Sequence, residues 1–369
     1  MPLTLTDEQQ ELATSLRRFL ADKAPRDTVR AWAEAGEGID PAVWRQMAGQ
    51  LGLQGIAIPE EYGGSGFGPV ELGVVLEEMG RVVLPGPFFG TVALAGQALV
   101  ASADTDAMQR WLPGIADGTL TATVALSEGD GPALLEPATT ATPSGDGWTL
   151  SGRKKLVVDG DTAALLLVVA AAPEGPSLFA VEAGATGLTR RRQDALDITR
   201  IVAAVELDGT PAVRIGPAGD AAFLRRVVDL AVAALAAEQV GGASGCLAES
   251  VEYGKTRVQF GRPIGSFQAI KHKCADMLLE VEAARSAALH AISAADEALD
   301  ELAVSAAVAG SYCAAAYTHA AKENIQIHGG IGFTWEHDAH LHLKRAKSGE
   351  RLLGSPVAHR ARLAALVGI

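Results

Sequence analysis

Apolar residues recur along this chain at two different periods. Thr6-Asp7-Glu8-Gln9 supplies N-cap chemistry, and Leu12, Leu16, Phe19 and Leu20 follow at helical spacing. Trp44, Met47 and Leu51 mark another helix, with Gly52 at its exit. Residues 70–83 alternate apolar pairs with polar positions at helical period until Pro85 and Pro87 interrupt them. Further helices are expected over 91–101 and 104–115. Near Gly118 the texture changes. Short apolar runs at 120–126, 148–150, 156–158, 165–170, 178–181, 201–207 and 213–215 lie between Gly, Pro and Asp, with a turn at 129–131. That spacing predicts a small antiparallel sandwich or barrel. From about Asp220 the helical texture returns, in groups over 221–255, 268–295, 298–328 and 339–366. The reading is an α+β chain in three parts: a helical domain over 1–117, a β domain over 118–219, and a helical bundle over 220–369.

Composition sharpens this picture. A chain of 369 residues can hold two or three domains with sizeable cores. It is 48% hydrophobic but only 5% aromatic. The core must therefore be built from Ala, Val and Leu, whose small size lets helices approach closely. The formal net charge of -13 argues against a general nucleic-acid binder. Local arginines and backbone amides can still hold a phosphate inside an acidic protein. Cys246, Cys274 and Cys313 are odd in number and widely separated, so buried free thiols are expected. That pattern suits a reducing cytoplasm, and the polar, acidic opening residues read as neither signal nor transit peptide. The strongest apolar run, 163–172, is too short to span a bilayer, so no membrane partner is expected. His328, His337, His340 and His342 cluster without the spacing of a metal motif, and no metal is expected there.

The stretch from Tyr253 to Gln268 (Y-G-K-T-R-V-Q-F-G-R-P-I-G-S-F-Q) has unusual chemistry for a connector. Arg257 offers a permanently charged fork suited to phosphate or carboxylate. Phe260 offers an aromatic face, and Gln268 can both donate and accept hydrogen bonds. Gly261, Pro263 and Gly265 force a bend. A plain helix-loop-helix turn with an exposed arginine would look the same on these grounds alone.

This stretch resembles the acyl-CoA dehydrogenase signature Arg-x-x-Phe-Gly-x-Pro-Ile-x-x-x-Gln. Gln326 to Phe333 (Q-I-H-G-G-I-G-F) is similar to the family's Gln-x-x-Gly-Gly-x-Gly element, and Gly55 to Gly66 to its Pro-Glu-x-x-Gly-Gly turn. The three stand in the family's order and cover nearly the whole chain. The resemblance implies two helical domains around a β domain, FAD as cofactor, and an acyl-CoA thioester as substrate. It implies removal of an α-proton by a carboxylate and transfer of the β-hydride to the flavin, with an electron-transferring flavoprotein or similar acceptor. Carried over position by position, Arg257, Phe260 and Gln268 would meet the pyrophosphate region of FAD across a subunit contact. Gln326, Gly329 and Gly330 would form the turn where the adenine half passes, and Ser127 would reach the flavin ring edge.

The departures from the family pattern are as informative as the matches. Gly129-Asp130-Gly131-Pro132 stands where the family has Pro and a Gly-Ser-Asp turn. Leu156 stands where a flavin-stacking aromatic is expected, and Val158 where a hydroxyl is expected. At the two family positions for the catalytic carboxylate the chain has Leu353 and Ala231. Asp229, Glu238 and Glu350 are the remaining candidates for a base. Two readings follow from the resemblance. One is an acyl-CoA dehydrogenase that desaturates its substrate with a relocated base. The other is a catalytically incomplete subunit, like the actinobacterial subunits of steroid-type α2β2 enzymes, which completes the FAD site of a sister chain. Either implies a homo- or hetero-tetramer.

Overall fold

The computed structural model describes residues 4–129 and 134–369. The expected turn at 129–131 and the Gly131-Pro132 departure therefore lie largely outside the described residues. The first part is helical: α1 (Asp7–Lys23), α2 (Arg26–Ala35), α3 (Pro41–Gly49), α4 (Pro69–Arg81), α5 (Gln97–Ser102) and α6 (Thr105–Ala116). Thr6 caps α1 as its sequence suggests, with Gln9 reaching back to the Thr6 N–H at 3.0 Å. The helix expected over 91–101 is α5 preceded by a π-helix, Phe89–Gly96. Its first turn sets Thr91 against the neighbouring sheet. Thr91 Oγ1 accepts from the Ala122 N–H and donates to the Ala122 carbonyl, both at 3.1 Å.

Seven strands follow: β1 (Ala122–Ala125), β2 (Thr140–Ser144), β3 (Gly147–Val158), β4 (Leu165–Ala172), β5 (Gly175–Glu182), β6 (Leu188–Arg192) and β7 (Val202–Ile215). Pairing runs β4–β2–β3–β7–β5 and back to β4, which closes a barrel, with β1 beside β4 and β6 beside β7. The sheet is mixed rather than purely antiparallel. β1 pairs in parallel with β4, and β2 touches β4 in parallel at Thr140 and Ala171. The β2–β3 hairpin lies between β1 and β4 in sequence and serves as the crossover that a parallel pair needs. β4 reads as an unbroken apolar run because both its faces are buried. Leu166, Val168 and Ala170 fill the barrel, while Leu165, Leu167 and Val169 face the main core. β3 and β7 each join two of the expected runs, their polar middles having hidden the continuity.

The last part comprises α7 (Ala221–Thr256), α8 (Gln268–Glu297), α9 (Leu302–His328), α10 (Ala339–Leu352) and α11 (Pro356–Val367). The group expected over 339–366 divides at Gly354, whose φ of 115° few side chains tolerate. Ser355 caps α11 and Pro356 opens it. α7 is long and apolar enough to cross a bilayer, but 89% of its most apolar window is buried inside the protein. It is the central core helix. α4 crosses it at backbone contact: a Cβ on Gly241 would lie 1.8 Å from the Glu77 carbonyl oxygen, and one on Gly80 2.0 Å from that of Glu238.

Candidate cofactor face and acyl site

Two of the three signature stretches meet at one end of the bundle. Tyr253, in the last turn of α7, stacks on His328, the last residue of α9, with ring centroids 4.2 Å apart. Between α7 and α8 a hairpin of β8 (Val258–Gln259) and β9 (Arg262–Pro263) projects outward. Its tip is Phe260, which is 92% exposed and held at a left-handed φ of 53°. The Phe267 ring meets it edge-on at 6.1 Å, and the Arg262 guanidinium covers Phe267 at 4.1 Å. Arg257 caps α7 and is exposed, at the helix end whose carbonyls favour a cation. Gln268, the first residue of α8, is exposed as well. Gln326, Gly329 and Gly330 are exposed, and a Cβ on either glycine would meet nothing within 4 Å. Backbone here is open to close approach by a ligand or a second chain. Phe333 and Trp335 continue the exposed surface. Six of the seven candidate cofactor residues thus lie on one face.

Ser127 lies elsewhere, just after β1. Its hydroxyl donates to the Gly129 carbonyl at 3.0 Å, and its own carbonyl accepts from the Lys155 N–H at 2.8 Å. Beside it the Glu128 carboxylate accepts from Ala138 N–H (2.6 Å), Thr139 N–H (2.9 Å) and Lys154 Nζ (2.6 Å). Burial raises this carboxyl, but the hydrogen bonds from Lys154 and Thr139 win and hold it at about 2. Leu156 follows at a left-handed φ of 54°, and Val158 is buried. Leu156 is half-buried and Val157 and Val158 are buried, and the side chains over 156–158 are all apolar. They supply neither the aromatic stack nor the hydroxyl that the resemblance implies for a flavin ring, whereas Arg257 and the open glycine backbone are chemistry suited to a phosphate group.

The candidate bases are all engaged. Both oxygens of Asp229 accept from Arg362, one of them at 2.8 Å from Nη2. Burial raises the Asp229 carboxyl against the pull of Arg362. Asp229 also lines a cleft of about 970 Å³ with Arg225, Arg226 and Arg362. Glu238 is buried between two guanidinium groups: Arg200 Nη2 binds both its oxygens, one at 2.6 Å, and Arg345 Nη1 lies at 3.3 Å. Burial opposes ionisation here, but the two arginines prevail and lower the Glu238 pKa. Glu350 is half-buried and accepts from Thr318 Oγ1 at 2.6 Å and Lys347 Nζ at 2.8 Å. Leu353 and Ala231 belong to the main apolar core.

The histidines are absorbed in packing. His328 lies between Tyr253 and His337, and His342 contacts Tyr317 Oη at 3.0 Å through Nδ1. Among the described residues no group of three or more His, Cys, Asp or Glu is placed to hold a metal. The cysteines are free thiols, Cys246 and Cys313 buried and Cys274 half-buried. The Arg200–Glu238–Arg345 cluster was not visible in the sequence. Only the incongruity of Glu238 within an apolar helix hinted at it.

Residues 6–119 match the sequence profile described as acyl-CoA dehydrogenase, N-terminal domain, and residues 224–367 match that for the C-terminal domain. The chain belongs to the acyl-CoA dehydrogenase family. Membership indicates FAD as the cofactor. Acyl-CoA dehydrogenase IpdE2 of Mycolicibacterium smegmatis is 34% identical over 363 residues, covering 98% of this chain and 100% of that protein. Among solved structures, the steroid ACAD Tcur3481–Tcur3483 is 38% identical with a TM-score of 0.90, covering 99% of each chain. The ChsE4–ChsE5 complex from Mycobacterium tuberculosis is 28% identical with a TM-score of 0.91, covering 100% of this chain and 99% of that one.

Proposed function

We propose that this chain is a subunit of an FAD-dependent acyl-CoA dehydrogenase that completes the cofactor site of a sister chain rather than performing the desaturation itself. The observation carrying this reading is the fate of the carboxylates. Both family base positions are core side chains, Leu353 and Ala231. Asp229 and Glu238 are committed to arginines, and Glu350 to Thr318 and Lys347. A general base must be free to take a proton from substrate, and none of these is. The cofactor face, by contrast, is open. In this reading Arg257 would neutralise the pyrophosphate, Gln268 would hydrogen-bond beside it, and Gln326, Gly329 and Gly330 would let backbone close on the adenine half. Phe260 shields the contact from water. FAD, when bound, accepts the hydride. The sister chain supplies the base and the flavin-ring contacts. The two hetero-complexes among the similar structures support such an arrangement.

A second reading, a self-contained dehydrogenase, is favoured by one observation. Asp229 lines the large cleft and burial raises its carboxyl, as a base requires. The absorption spectrum and mass of the chain expressed alone separate the two. The subunit reading expects a colourless protein that acquires flavin only when a sister chain is co-expressed. In that complex Arg257→Met should lower flavin retention by about tenfold or more, the scale of a lost charge-assisted contact. A single chain that purifies with stoichiometric flavin and bleaches with an acyl-CoA would overturn it.

A further inference from the structure

Between the turn that joins α1 to α2, the end of α4, and the helices α7 and α10 lies a pocket of about 210 Å³. It shares no lining residue with the large cleft beside Asp229, and none of the candidate cofactor residues lines it. Its apolar lining includes Ala24, Val29, Val82, Val83 and Leu341. Its charged lining is Arg26, Arg81, Glu249, Asp338 and His342. Val83 is held at a left-handed φ of 46°, which a β-branched residue rarely adopts. The carbonyls of Val83 and Leu84 accept from Arg345 Nη2, at 3.3 and 2.9 Å, so the turn after α4 is pinned from behind. A wall already fixed in place costs a ligand less than one it must order.

The two carboxylates of the lining are already matched. Glu249 binds Arg26 and accepts from Asn324 Nδ2 at 2.9 Å, with His342 Nε2 at 3.6 Å. Asp338 accepts from Arg30 Nη1 at 3.1 Å and lies 3.7 Å from Arg26 Nε. The cations are in surplus, with Arg26, Arg81 and His342 set against Glu249 and Asp338. Arg81 also meets Glu77 and Glu78, but those acids are shared with Arg285 and Arg17. Arg26 and Arg81 each spend Nε and Nη2 on these acids, which leaves Nη1 of each guanidinium for a ligand. The His342 side chain is only 4% exposed; burial opposes its protonation, but Cys246 and Glu249 raise the imidazole to about 10. We propose that this pocket is a binding site for a small branched monocarboxylate, whose carboxylate pairs with Arg26 and Arg81 and whose tail packs on Val29, Val82, Val83 and Leu341. At about 30 Å³ per water-sized group the pocket holds about seven such groups, well under a drug-sized site. The ligand is therefore on the order of seven non-hydrogen atoms, and neither a coenzyme thioester nor a flavin fits.

Isovalerate matches that size and shape and serves as the probe. Calorimetry on the full chain, alone or with its sister, should give a Kd of about 1 mM or tighter, the scale that ligand efficiency sets for so small a molecule. Isovaleramide has the same shape without the charge and should bind at least about tenfold more weakly. Acetate keeps the charge but lacks most of the tail, and it should be weaker by about the same factor. Ala248→Phe, at an exposed position of the lining, should block the pocket without touching its ion pairs. Arg26→Met should weaken binding about tenfold or more. No binding of isovalerate at about 10 mM, equal affinity for isovaleramide or acetate, or undiminished binding by Ala248→Phe would overturn the site. Neither flavin nor turnover enters the measurement, so its failure and that of the subunit reading are separate results.

Discussion

Glu238→Gln is the substitution that best separates a structural from a catalytic carboxylate in this chain. The amide keeps the shape of Glu238 but removes the negative charge between Arg200 and Arg345, both of which are buried. Losing one partner of a buried ion cluster costs about 3–5 kcal/mol, because the remaining charges stay desolvated. Unfolding entropy of about 2 cal/mol/K per residue gives roughly 0.8 kcal/mol/K over the whole chain. The expected fall in Tm is therefore about 4–6 °C if the chain melts as one unit. The pH dependence carries its own signature. Because the folded-state pKa of Glu238 is lowered, its contribution is complete above the unfolded value near 4.5 and is lost as pH falls through the folded value. Wild type and variant should differ at pH 7 and converge in acid. Scanning calorimetry at both pH values reads this directly. A variant with unchanged Tm but abolished turnover would refute the structural assignment and return Glu238 to the list of bases.

Two further predictions rest on other parts of the fold. Gly241→Ala should destabilise by about 2 kcal/mol or more, because its Cβ would collide with the Glu77 carbonyl and only a backbone shift can relieve that; urea unfolding measures it. Glu249 is pushed up by burial, but His342, Arg26 and Asn324 overcome this and hold it at about 2. Its stabilisation is full above about pH 4.5 and should be lost towards pH 2, about 3 kcal/mol in all, so Glu249→Gln should flatten the acid limb of the stability curve.

Most helices and strands were legible from their apolar residues, by period in α1 and α4 and as long apolar runs in β4 and α7, whereas α2, β2 and β6, which are short or largely polar, were not expected. The π-helix was not, because its residues are apolar on all sides and carry no period that distinguishes it from an α-helix. The parallel pairing of β1 and β2 with β4 was equally hidden, since strand direction depends on crossover geometry rather than on the composition of a strand. For the site, the expectation at Arg257, Phe260 and the Gly329-Gly330 pair came from the family resemblance, since a plain turn would read the same, and the structure places these residues exposed at one end of the bundle. The engagement of Asp229 and Glu238 was not readable. Their partners, Arg362 and Arg200, are 133 and 38 residues away in the chain. Nothing in a one-dimensional pattern couples such positions.

The crossing of α4 and α7 has a consequence for how such a chain can change over generations. At Gly80 and Gly241 the two backbones touch without intervening side chains, so no compensating substitution next door can make room there. Elsewhere in the core, at Leu353 and Ala231, side chains rather than backbones meet, and a change of side chain can be absorbed there. The glycine crossing has no such latitude. On the proposed subunit reading, a duplicated copy could exchange side chains elsewhere and still keep the α4–α7 frame fixed by these two glycines.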